Sequence, residues 1–405
     1  MKYSAEEVMQ YVNEEDVKFI RLAFCDIYGK QKNISIMPSE LPRAFASGIA
    51  FDASAVRGFG DESRSDLLLH PDASTLTVLP WRPEHGRVVR MFCSITYPDG
   101  RSFECDTRSI LRKAIAEAKQ LGLEFDFGAE QEFYLFQLDE HGKKTHIPYD
   151  EAGYMDIAPE DRGENVRREI CLTLEQMGIR PESSHHEEGP GQNEIDFRYS
   201  DALSAADNAL TFQTIVKTVA GRNGLWADFS PKPLKDKAGN GFHINISARN
   251  RSGEDVLPHI IAAILHFIPE LTAFLNPQED SYARFGMNKA PAYISWSAEN
   301  RSQLVRVPAA IYEQKRAELR SPDPNANPYL AFALLIYACL HGIQNRMLPP
   351  PPADINLFRA DPTVLAQFQP LPASRDEAIA IMQKSPFIRQ HLPEQIISLY
   401  SQKLI

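Results

Sequence analysis

Two glutamates alternate along a segment whose pattern is typical of a β-strand. Residues 128–136 read GAEQEFYLF, and the two-residue period of a strand places Glu130 and Glu132 on one face. Neighbouring carboxylates repel each other and cost stability unless a cation lies between them. A solvated strand edge would give the same pair, but the apolar residues that follow favour a half-buried setting.

A second acidic group surrounds a short Gly-Pro-Gly loop. In residues 185–197, HHEEGPGQNEIDF, this loop separates Glu187 from Glu194. Glu194 and Asp196 then share one face of the following strand, opposite Ile195 and Phe197. An acidic surface hairpin explains this segment equally well when it is taken alone.

A third segment, residues 239–247, reads GNGFHINIS and alternates cleanly between polar and apolar side chains. His243, Asn245 and Ser247 lie on one face of the predicted strand. A single strand histidine is more often structural than a metal ligand. The glycines just before it indicate that the backbone approaches another group closely.

Arginines dominate the fourth segment, residues 300–320. Arg301, Arg306, Arg316 and Arg320 lie on both sides of one acidic residue, Glu318. Surface ion pairing is one interpretation. A clamp for phosphate groups is the other, because the planar guanidinium presents a fork of donors.

The four segments together contain many oxygen ligands, one histidine and several arginines. Hard oxygen ligands favour Mg²⁺ or Mn²⁺ over zinc. Metal ions and arginines arranged around a nucleotide are typical of phosphoryl transfer by positioning and charge neutralisation. No GxGxxG turn and no GxxxxGK[ST] loop occurs in the sequence, so a nucleotide would have to be bound by a different kind of motif.

The elements that must position these residues form an α+β pattern. Strand-like runs fill the first hundred residues, and helices predicted at 109–121, 166–177, 202–219 and 259–275 alternate with strands afterwards. The 405-residue length favours two domains, with a boundary near the Tyr97–Gly100 turn. We take Ser109 as the N-cap of the first of these helices.

Charge and composition exclude several classes of function. The formal net charge of −11 argues against a nucleic-acid-binding protein. The five cysteines are scattered and lack CxxC spacing, and the N-terminus has no apolar signal core. The apolar helix predicted at 328–343 is short for a bilayer span. We therefore expect a protein of the reducing cytoplasm that does not associate with membranes.

In this order, the four segments resemble the glutamine synthetase family, particularly its bacterial type I form. Further matches are FDAS at 51–54, RGF at 57–59, PKP at 231–233 and SPDPNANPY at 321–329. The resemblance covers most of the chain. It implies a small N-terminal β-grasp domain over residues 1–100 and a large catalytic domain over 101–405, with an antiparallel sheet that lines the active site.

The resemblance also implies roles for individual residues. One metal ion would be held by Glu132, Glu187 and Glu194, and the other by Glu130, His243 and Glu318. ATP would contact Asn245, Ser247, Arg301, Arg306 and Arg316. Glutamate or the transferred phosphoryl group would lie near Gly239, Arg284 and Arg320. Asp52 would reach into a neighbouring subunit's site and deprotonate ammonium, with Tyr154 nearby. Arg301 and Arg320 would act with Asp52 in catalysis.

The implied reaction is the ATP-dependent joining of glutamate and ammonia through γ-glutamyl phosphate, with two or more Mg²⁺ or Mn²⁺ ions per site. The implied assembly is a homo-oligomer, either a hexameric ring or a dodecamer. Because the chain ends at Ile405, before the family's C-terminal extension, a double ring is not assured.

Three positions depart from the family pattern. Lys289 stands where typical members carry a flap glutamate, Ala238 replaces an asparagine of the glutamate loop, and Phe358 falls near a tyrosine that some members adenylylate. A protonated lysine cannot accept a proton and repels ammonium. An organic amine as nucleophile, a non-catalytic relative with a scaffold or regulatory role, and a ligase for another acid are therefore the alternatives.

Overall fold

The computed structural model describes residues 3–82, 85–309 and 315–402. Within them the helices are α1 Ala5–Glu14, α2 Leu41–Ser47, α3 Thr107–Gln120, α4 Glu164–Gln176, α5 Ala202–Arg222, α6 Leu257–Leu275, α7 Pro328–Gln344, α8 Pro362–Leu365, α9 Arg375–Lys384, α10 Pro386–His391 and α11 Glu394–Ser401. The strands are β1 Val17–Cys25, β2 Gln31–Ile36, β3 Ile49–Asp52, β4 Asp66–Pro71, β5 Thr77–Val78, β6 Arg87–Thr96, β7 Leu123–Leu138, β8 Lys144–Pro148, β9 Pro181–His186, β10 Gln192–Phe197, β11 Ser200–Asp201, β12 Leu225–Asp228, β13 Phe242–Asn250, β14 Trp296–Ala298, β15 Val305–Val307 and β16 Ala317–Leu319.

The N-terminal sheet has the strand order β2-β1-β6-β4-β3, with β5 beside β6. Strands β1 and β6 run parallel, and each is rich in β-branched and aromatic residues that pack well on a pleated surface. Helix α1 begins with a capping box in which Ser4 and Glu7 satisfy each other's backbone N–H groups. The small β-rich unit expected at the N-terminus is therefore present.

A ten-stranded sheet forms the larger part of the molecule, with the order β14-β15-β16-β13-β7-β10-β9. The 16-residue strand β7 is its centre and also pairs with the short strands β8, β11 and β12. All pairs around β7 are antiparallel, whereas β14 and β15 run parallel at one edge. The expected α+β class with an antiparallel sheet is confirmed, apart from that parallel edge pair.

Apolar helices cover the ten-stranded sheet. Helix α7 is buried almost all round, with Phe332 stacked on Phe127 of β7 at 4.3 Å between ring centroids. Among the described residues, only α6 is long and apolar enough to cross a membrane. Its most apolar window is 67% buried in the fold, as is usual for a core helix, so this is weak evidence for a membrane span.

The start of helix α3 differs from the sequence-based expectation. The helix begins at Thr107 and is capped by Asp106, whose side chain accepts a hydrogen bond from the Arg108 N–H. Ser109 was the expected N-cap, and this was wrong. The Ser109 hydroxyl instead donates to Asp106 Oδ2 at 2.6 Å, because a carboxylate three residues earlier is the stronger acceptor.

Candidate active site

Cross-strand pairing brings the predicted ligands onto one face of the large sheet. Glu130 of β7 pairs with His243 of β13, and Glu132 of β7 pairs with Glu194 of β10. Strand β16 adds Glu318, which lies opposite Asn245. Since directly paired residues share a face, five of the six predicted ligands occupy one surface. Glu187, the sixth, follows β9 where that strand leaves the sheet.

Glu130, His243 and Glu318 form the first compact ligand group. Their donor atoms all lie within 4.8 Å of one another. His243 Nδ1 is 3.4 Å from Glu130 Oε2 and 3.9 Å from Glu318 Oε1. The sequence predicted this trio, and the structure places its members together.

The second ligand group contains Glu187 and Glu194 together with His185, again with donor atoms within 4.8 Å of one another. His185 Nε2 lies 3.1 Å from Glu187 Oε1. The predicted third member, Glu132, lines the same cavity, but its Oε2 accepts hydrogen bonds from the Gly241 N–H at 2.8 Å and from Gln192 Nε2 at 3.2 Å. The structure therefore adds His185 to the predicted metal ligands. It also shows that Gln192 donates a hydrogen bond to Glu132.

Burial and charge give these carboxyl groups very different pKa values. Burial, reinforced by the neighbouring carboxylates, raises the pKa of Glu194 well above its usual range. Burial also raises the pKa of Glu132. For Glu187, burial is outweighed by the combined effect of the hydrogen bonds with His185 and the Glu188 N–H and of the nearby Lys289, and the net pKa is lowered.

The pKa of Glu318 is shifted in the opposite direction to that of Glu194. Glu318 is completely buried, yet Arg320, His243 and Arg306 outweigh the effect of burial and lower its pKa to about 2. Arg306 Nε and Arg320 Nη1 each donate to one of its oxygens at 2.6 Å. A carboxylate held ionised by two arginines is a preformed anionic ligand.

The donor chemistry of both groups fits divalent cations. Each group offers two carboxylates, the ligand type that suits Mg²⁺ or Mn²⁺, together with one imidazole nitrogen. Burial is the main cause of the raised pKa values of Glu132 and Glu194, and repulsion from neighbouring carboxylates raises both further. A cation would offset this repulsion. Glu130, His243 and Glu318 could hold one ion, and Glu187 with Glu194, His185 or Glu132 another.

The predicted phosphate-binding arginines border the first ligand group. Arg301, Arg306 and Arg316 all line the same cavity of about 570 Å³. Arg316 Nε donates to Asn245 Oδ1 at 2.9 Å, and Asn245 Nδ2 donates to Glu130 Oε1 at 2.6 Å. This places Asn245 between an arginine and a metal ligand.

Arg284 and Arg320 supply buried positive charge at another part of the cavity wall. Both are almost completely buried. Within the described part of the chain, no acceptor lies within hydrogen-bonding distance of either Nε atom. A buried N–H donor without an acceptor destabilises the folded protein, so an anionic group of a substrate would supply the missing acceptor. A carboxylate or phosphoryl oxygen is the matching chemistry.

Glycines allow the backbone to approach these side chains. A Cβ atom at Gly239 would lie 2.5 Å from Pro231 O and 2.7 Å from Arg284 Cγ. At Gly241 it would lie 2.8 Å from His243 Nε2. The close backbone approach expected from the glycines before His243 is therefore present. Gly239 approaches Arg284, and Gly241 approaches the predicted ligand His243.

Four predicted residues, Asp52, Asn245, Ser247 and Glu318, are not part of the cavity lining, although Asn245 and Glu318 bond directly to residues that are. Asp52 is exposed at the end of β3, where its Oδ1 accepts from the Ser54 N–H and hydroxyl groups. Ser247 is buried opposite Asp126, farther along β13. Tyr154, in contrast, lines the cavity and packs edge-on against His185 at 5.4 Å between centroids.

The segment that departs from the family pattern also reaches the cavity. Asn288 and Lys289 both have positive φ angles, of 46° and 66°. The Lys289 ammonium group lies 2.6 Å from Glu188 Oε1. Sequence reasoning assigned no role to Glu188, Gln192 or His185, although all three lie within the acidic segment that it singled out.

The comparisons with known proteins agree with this geometry. A family model described as "Glutamine synthetase, catalytic domain" matches residues 104–403, and one described as "Glutamine synthetase, beta-Grasp domain" matches residues 16–98. The glutamine synthetase of Clostridium saccharobutylicum is 41% identical over 414 residues, covering 98% of this chain and 94% of that protein. The glutamine synthetase of Methanosarcina mazei is 42% identical over 411 residues, covering 98% and 92%.

Solved structures share the fold. A complex of GmaS with ADP superposes with a TM-score of 0.88 at 27% identity, covering 97% of this chain and 93% of that one. Plasmodium falciparum glutamine synthetase superposes with a TM-score of 0.86 at 22% identity, covering 99% and 95%, and shows likeness of fold alone.

Proposed function

Because the chain belongs to the glutamine synthetase family, we propose that its cavity joins ammonia to the side-chain carboxylate of glutamate in a reaction driven by ATP. The observation that carries this proposal is the division of one sheet face into carboxylates and arginines. Glu130, His243 and Glu318 meet within 4.8 Å, and Arg306 and Arg316 border them. Such a surface suits a nucleotide whose phosphates are bridged by divalent cations.

The reaction proceeds in two steps. In the first, a carboxylate oxygen of glutamate bonds to the γ-phosphorus of ATP, the bond to the β–γ bridging oxygen breaks, and ADP leaves. In the second, the ammonia nitrogen attacks the activated carbonyl carbon, the carbon–oxygen bond to phosphate breaks, and the proton on nitrogen passes to a base. Divalent cations, when bound, neutralise the phosphate charge.

The chain's own residues provide binding and charge. Arg301, Arg306 and Arg316 bind phosphate oxygens from one wall of the cavity. Arg284 and Arg320 bind the carboxylate of glutamate and the phosphoryl group as it transfers, since the buried Nε donor of each lacks a protein acceptor. Gly239 has no Cβ atom, which lets the backbone there pack directly against the Arg284 side chain.

Two finer proposals concern the cofactor and the assembly. We propose Mg²⁺ or Mn²⁺, with at least two ions per site, on the basis of the two ligand groups. We also propose a hexameric ring or a dodecamer in which Asp52 of one subunit serves the cavity of the next. The exposed position of Asp52 at a strand end supports this arrangement.

A reducing cytoplasmic location is also a proposal. The five cysteines are free thiols, and four of them are buried. Burial raises the pKa of Cys25, Cys93 and Cys339, so these thiols stay protonated at neutral pH. Free thiols of this kind are usual where disulfides do not form.

The decisive test measures phosphate release from ATP with glutamate and Mg²⁺, with mass detection of the product. We expect glutamine when ammonium is supplied. Arg306→Gln should lower kcat by about 100-fold or more, because a donor to the transferring group is lost. Arg198→Gln, which removes an exposed arginine that pairs with Glu182, serves as the matched control. Product formed only with an organic amine, or no product from protein that binds Mg-ATP, would contradict the proposed function.

A further inference from the structure

The Lys289 side chain ends in a small site built from two other residues. Its ammonium group lies 2.6 Å from Glu188 Oε1 and 4.8 Å from the centroid of the Tyr154 ring. A carboxylate on one side and an aromatic face on the other are the two groups that recognise an ammonium ion in proteins. Lys289 therefore fills, with its own ammonium group, a site whose chemistry suits a free one.

This site belongs to the cavity that contains the metal-ligand groups. Glu188, Tyr154 and Lys289 all line that cavity. The Glu188 N–H donates to Glu187 Oε2 at 3.0 Å, and Tyr154 packs against His185. A cation bound between Glu188 and Tyr154 would thus lie next to the second ligand group.

The backbone of Lys289 is fixed by its neighbours, but its side chain can leave the site. Arg320 Nη2 donates to the Lys289 carbonyl at 3.4 Å, and the positive φ angles of Asn288 and Lys289 define a tight turn there. The Lys289 side chain is 44% exposed, and that of Glu188 is 33% exposed. An ion pair with this much solvent contact is weak, so the lysine can swing into solvent at small cost.

We propose that Glu188 and Tyr154 form the subsite for the ammonium substrate, and that Lys289 is a tethered competitor for it. The inference rests on the proposed function, because it assigns the nucleophile's position in the same cavity. Ammonium or a small primary alkylammonium enters when the Lys289 side chain leaves. Lys289 is thereby a specificity-determining residue that sets how much ammonium the enzyme requires.

Kinetics with Lys289→Met tests the competition. A competitor that fills a site nine-tenths of the time weakens apparent affinity about tenfold, so the variant should lower the KM for ammonium by about that factor. The KM values for glutamate and ATP should stay within about twofold of wild type. Lys143→Met, which removes an exposed lysine of the β7–β8 turn, is the matched control and should change none of them. Lys289→Met/Glu188→Gln should restore the high KM for ammonium.

Crystals soaked in rubidium chloride give a readout that does not depend on activity. Rb⁺ is close to ammonium in size and can be located by anomalous scattering. We expect a peak between Glu188 and the Tyr154 ring in Lys289→Met, and none there in the wild type or in Lys289→Met/Glu188→Gln.

The outcomes separate this inference from the proposed function. No Rb⁺ peak in Lys289→Met, or an unchanged KM for ammonium in that variant, would overturn the competitor role of Lys289. A peak of equal height in the wild type would overturn it as well. Wild-type protein that makes no glutamine from ammonium, combined with an Rb⁺ peak in Lys289→Met, would reject the proposed function and leave the cation subsite standing.

Discussion

Glu194 and Glu318 are both buried carboxyl groups beside the same cavity, but their neighbours differ in sign. Glu194 lies among other carboxylates, and burial with their charges raises its pKa well above the usual range. Glu318 accepts hydrogen bonds from Arg306 and Arg320, and these cations outweigh burial and lower its pKa to about 2. The fold disfavours the ionised form of the first and favours that of the second.

Glu318→Gln should therefore destabilise the protein. The neutral amide leaves the buried Arg320 and the partly buried Arg306 without their counter-charge, which costs about 3 kcal/mol of unfolding free energy. Activity should also fall by about 100-fold, since a metal ligand is lost. Thermal unfolding in EDTA together with the glutamine assay measures both. A variant with wild-type stability would show that the arginines find other partners.

Glu194→Gln should have the opposite effect on stability. Replacing a carboxyl whose ionised form is disfavoured removes repulsion, so the metal-free protein should unfold at a higher temperature at pH 7.5 than the wild type. Activity should fall as for Glu318→Gln. The test is the sign of the change in Tm, measured in EDTA for both variants side by side. A lower Tm for Glu194→Gln would mean that its neighbours are not the dominant influence.

At the scale of elements, Asp150 fixes the loop that joins β9 to β10 and carries Glu187. Asp150 Oδ1 accepts from His186 Nε2 at 2.8 Å and from the Gly191 N–H at 2.9 Å, and Oδ2 accepts from the Arg162 N–H at 3.0 Å. Burial would raise the pKa of Asp150, but the interaction with His186 and the hydrogen bonds from the Arg162 and Gly191 N–H groups together outweigh it, and the net pKa is lowered. The carboxylate thus ties both ends of the loop to one point.

Asp150→Asn should loosen this loop and weaken metal binding. An amide supplies one acceptor where the loop uses two, and loss of supporting hydrogen bonds around a metal site typically costs about 10–100-fold in metal affinity. Mg²⁺ titration followed by calorimetry measures the change. Asp139→Asn is the matched control, because Asp139 also accepts two backbone N–H bonds, in the exposed β7–β8 turn. An equal loss in both variants would argue against a specific role for Asp150.

Strand periodicity was enough to predict which carboxylates share a face. Glu130 and Glu132 on β7, and His243 and Asn245 on β13, follow from the two-residue period alone. The partner of Lys289 could not be predicted in this way, because Glu188 is about a hundred residues earlier and both lie in loops. Loop contacts depend on where the elements pack, and no local pattern encodes that position.

The N-cap of helix α3 shows a second limit of local patterns. Asp106 and Ser109 are both good N-cap residues, and the sequence does not rank them. Tertiary structure decides, because Asp106 Oδ2 also accepts from the Ile95 N–H at the end of β6. The carboxylate joins a strand to a helix, and this connection is visible only in the folded molecule.

At the scale of the whole molecule, a buried arginine connects the two parts of the chain. Arg108 on α3 pairs with Asp207 of α5 at 2.9 Å and with Asp72 of the N-terminal part at 3.0 Å. Burial would raise the pKa of Asp72, but Ser74 and Arg108 outweigh it, so the net pKa lies below the usual value. Stability from Asp72 is therefore present above pH 3.8 and is lost as the pH falls through the lowered pKa.

Asp72→Asn should lower the free energy of unfolding by about 1 kcal/mol at pH 7. This loss is smaller than for a fully buried pair, because the Asp72 side chain in the pair with Arg108 is partly exposed. The difference from wild type should begin to shrink as the pH falls below 3.8, where the carboxylate of the unfolded chain becomes protonated, and should vanish only below the lowered pKa of the folded protein. Thermal unfolding at pH 7, 5 and 3.5 measures it. Asp61→Asn is the matched control, because Asp61 accepts from Ser63 as Asp72 does from Ser74 but is fully exposed. A difference that does not depend on pH would rule out the ion pair as its cause.

The position of Asp52 leads to a prediction about the assembly. Asp52 is exposed and does not line the cavity of its own subunit, so we predict that its role in catalysis is played in a neighbouring subunit. Asp52→Asn and Glu318→Gln subunits should then each be inactive alone. Co-expressed in equal amounts, they should recover about a quarter of wild-type activity, because that share of interfaces combines an intact Asp52 with an intact Glu318. Recovery is measured as glutamine formed per subunit of the purified mixed oligomer. Without any recovery, Asp52 and Glu318 would not belong to one shared site, and the role of Asp52 would have to lie within its own subunit.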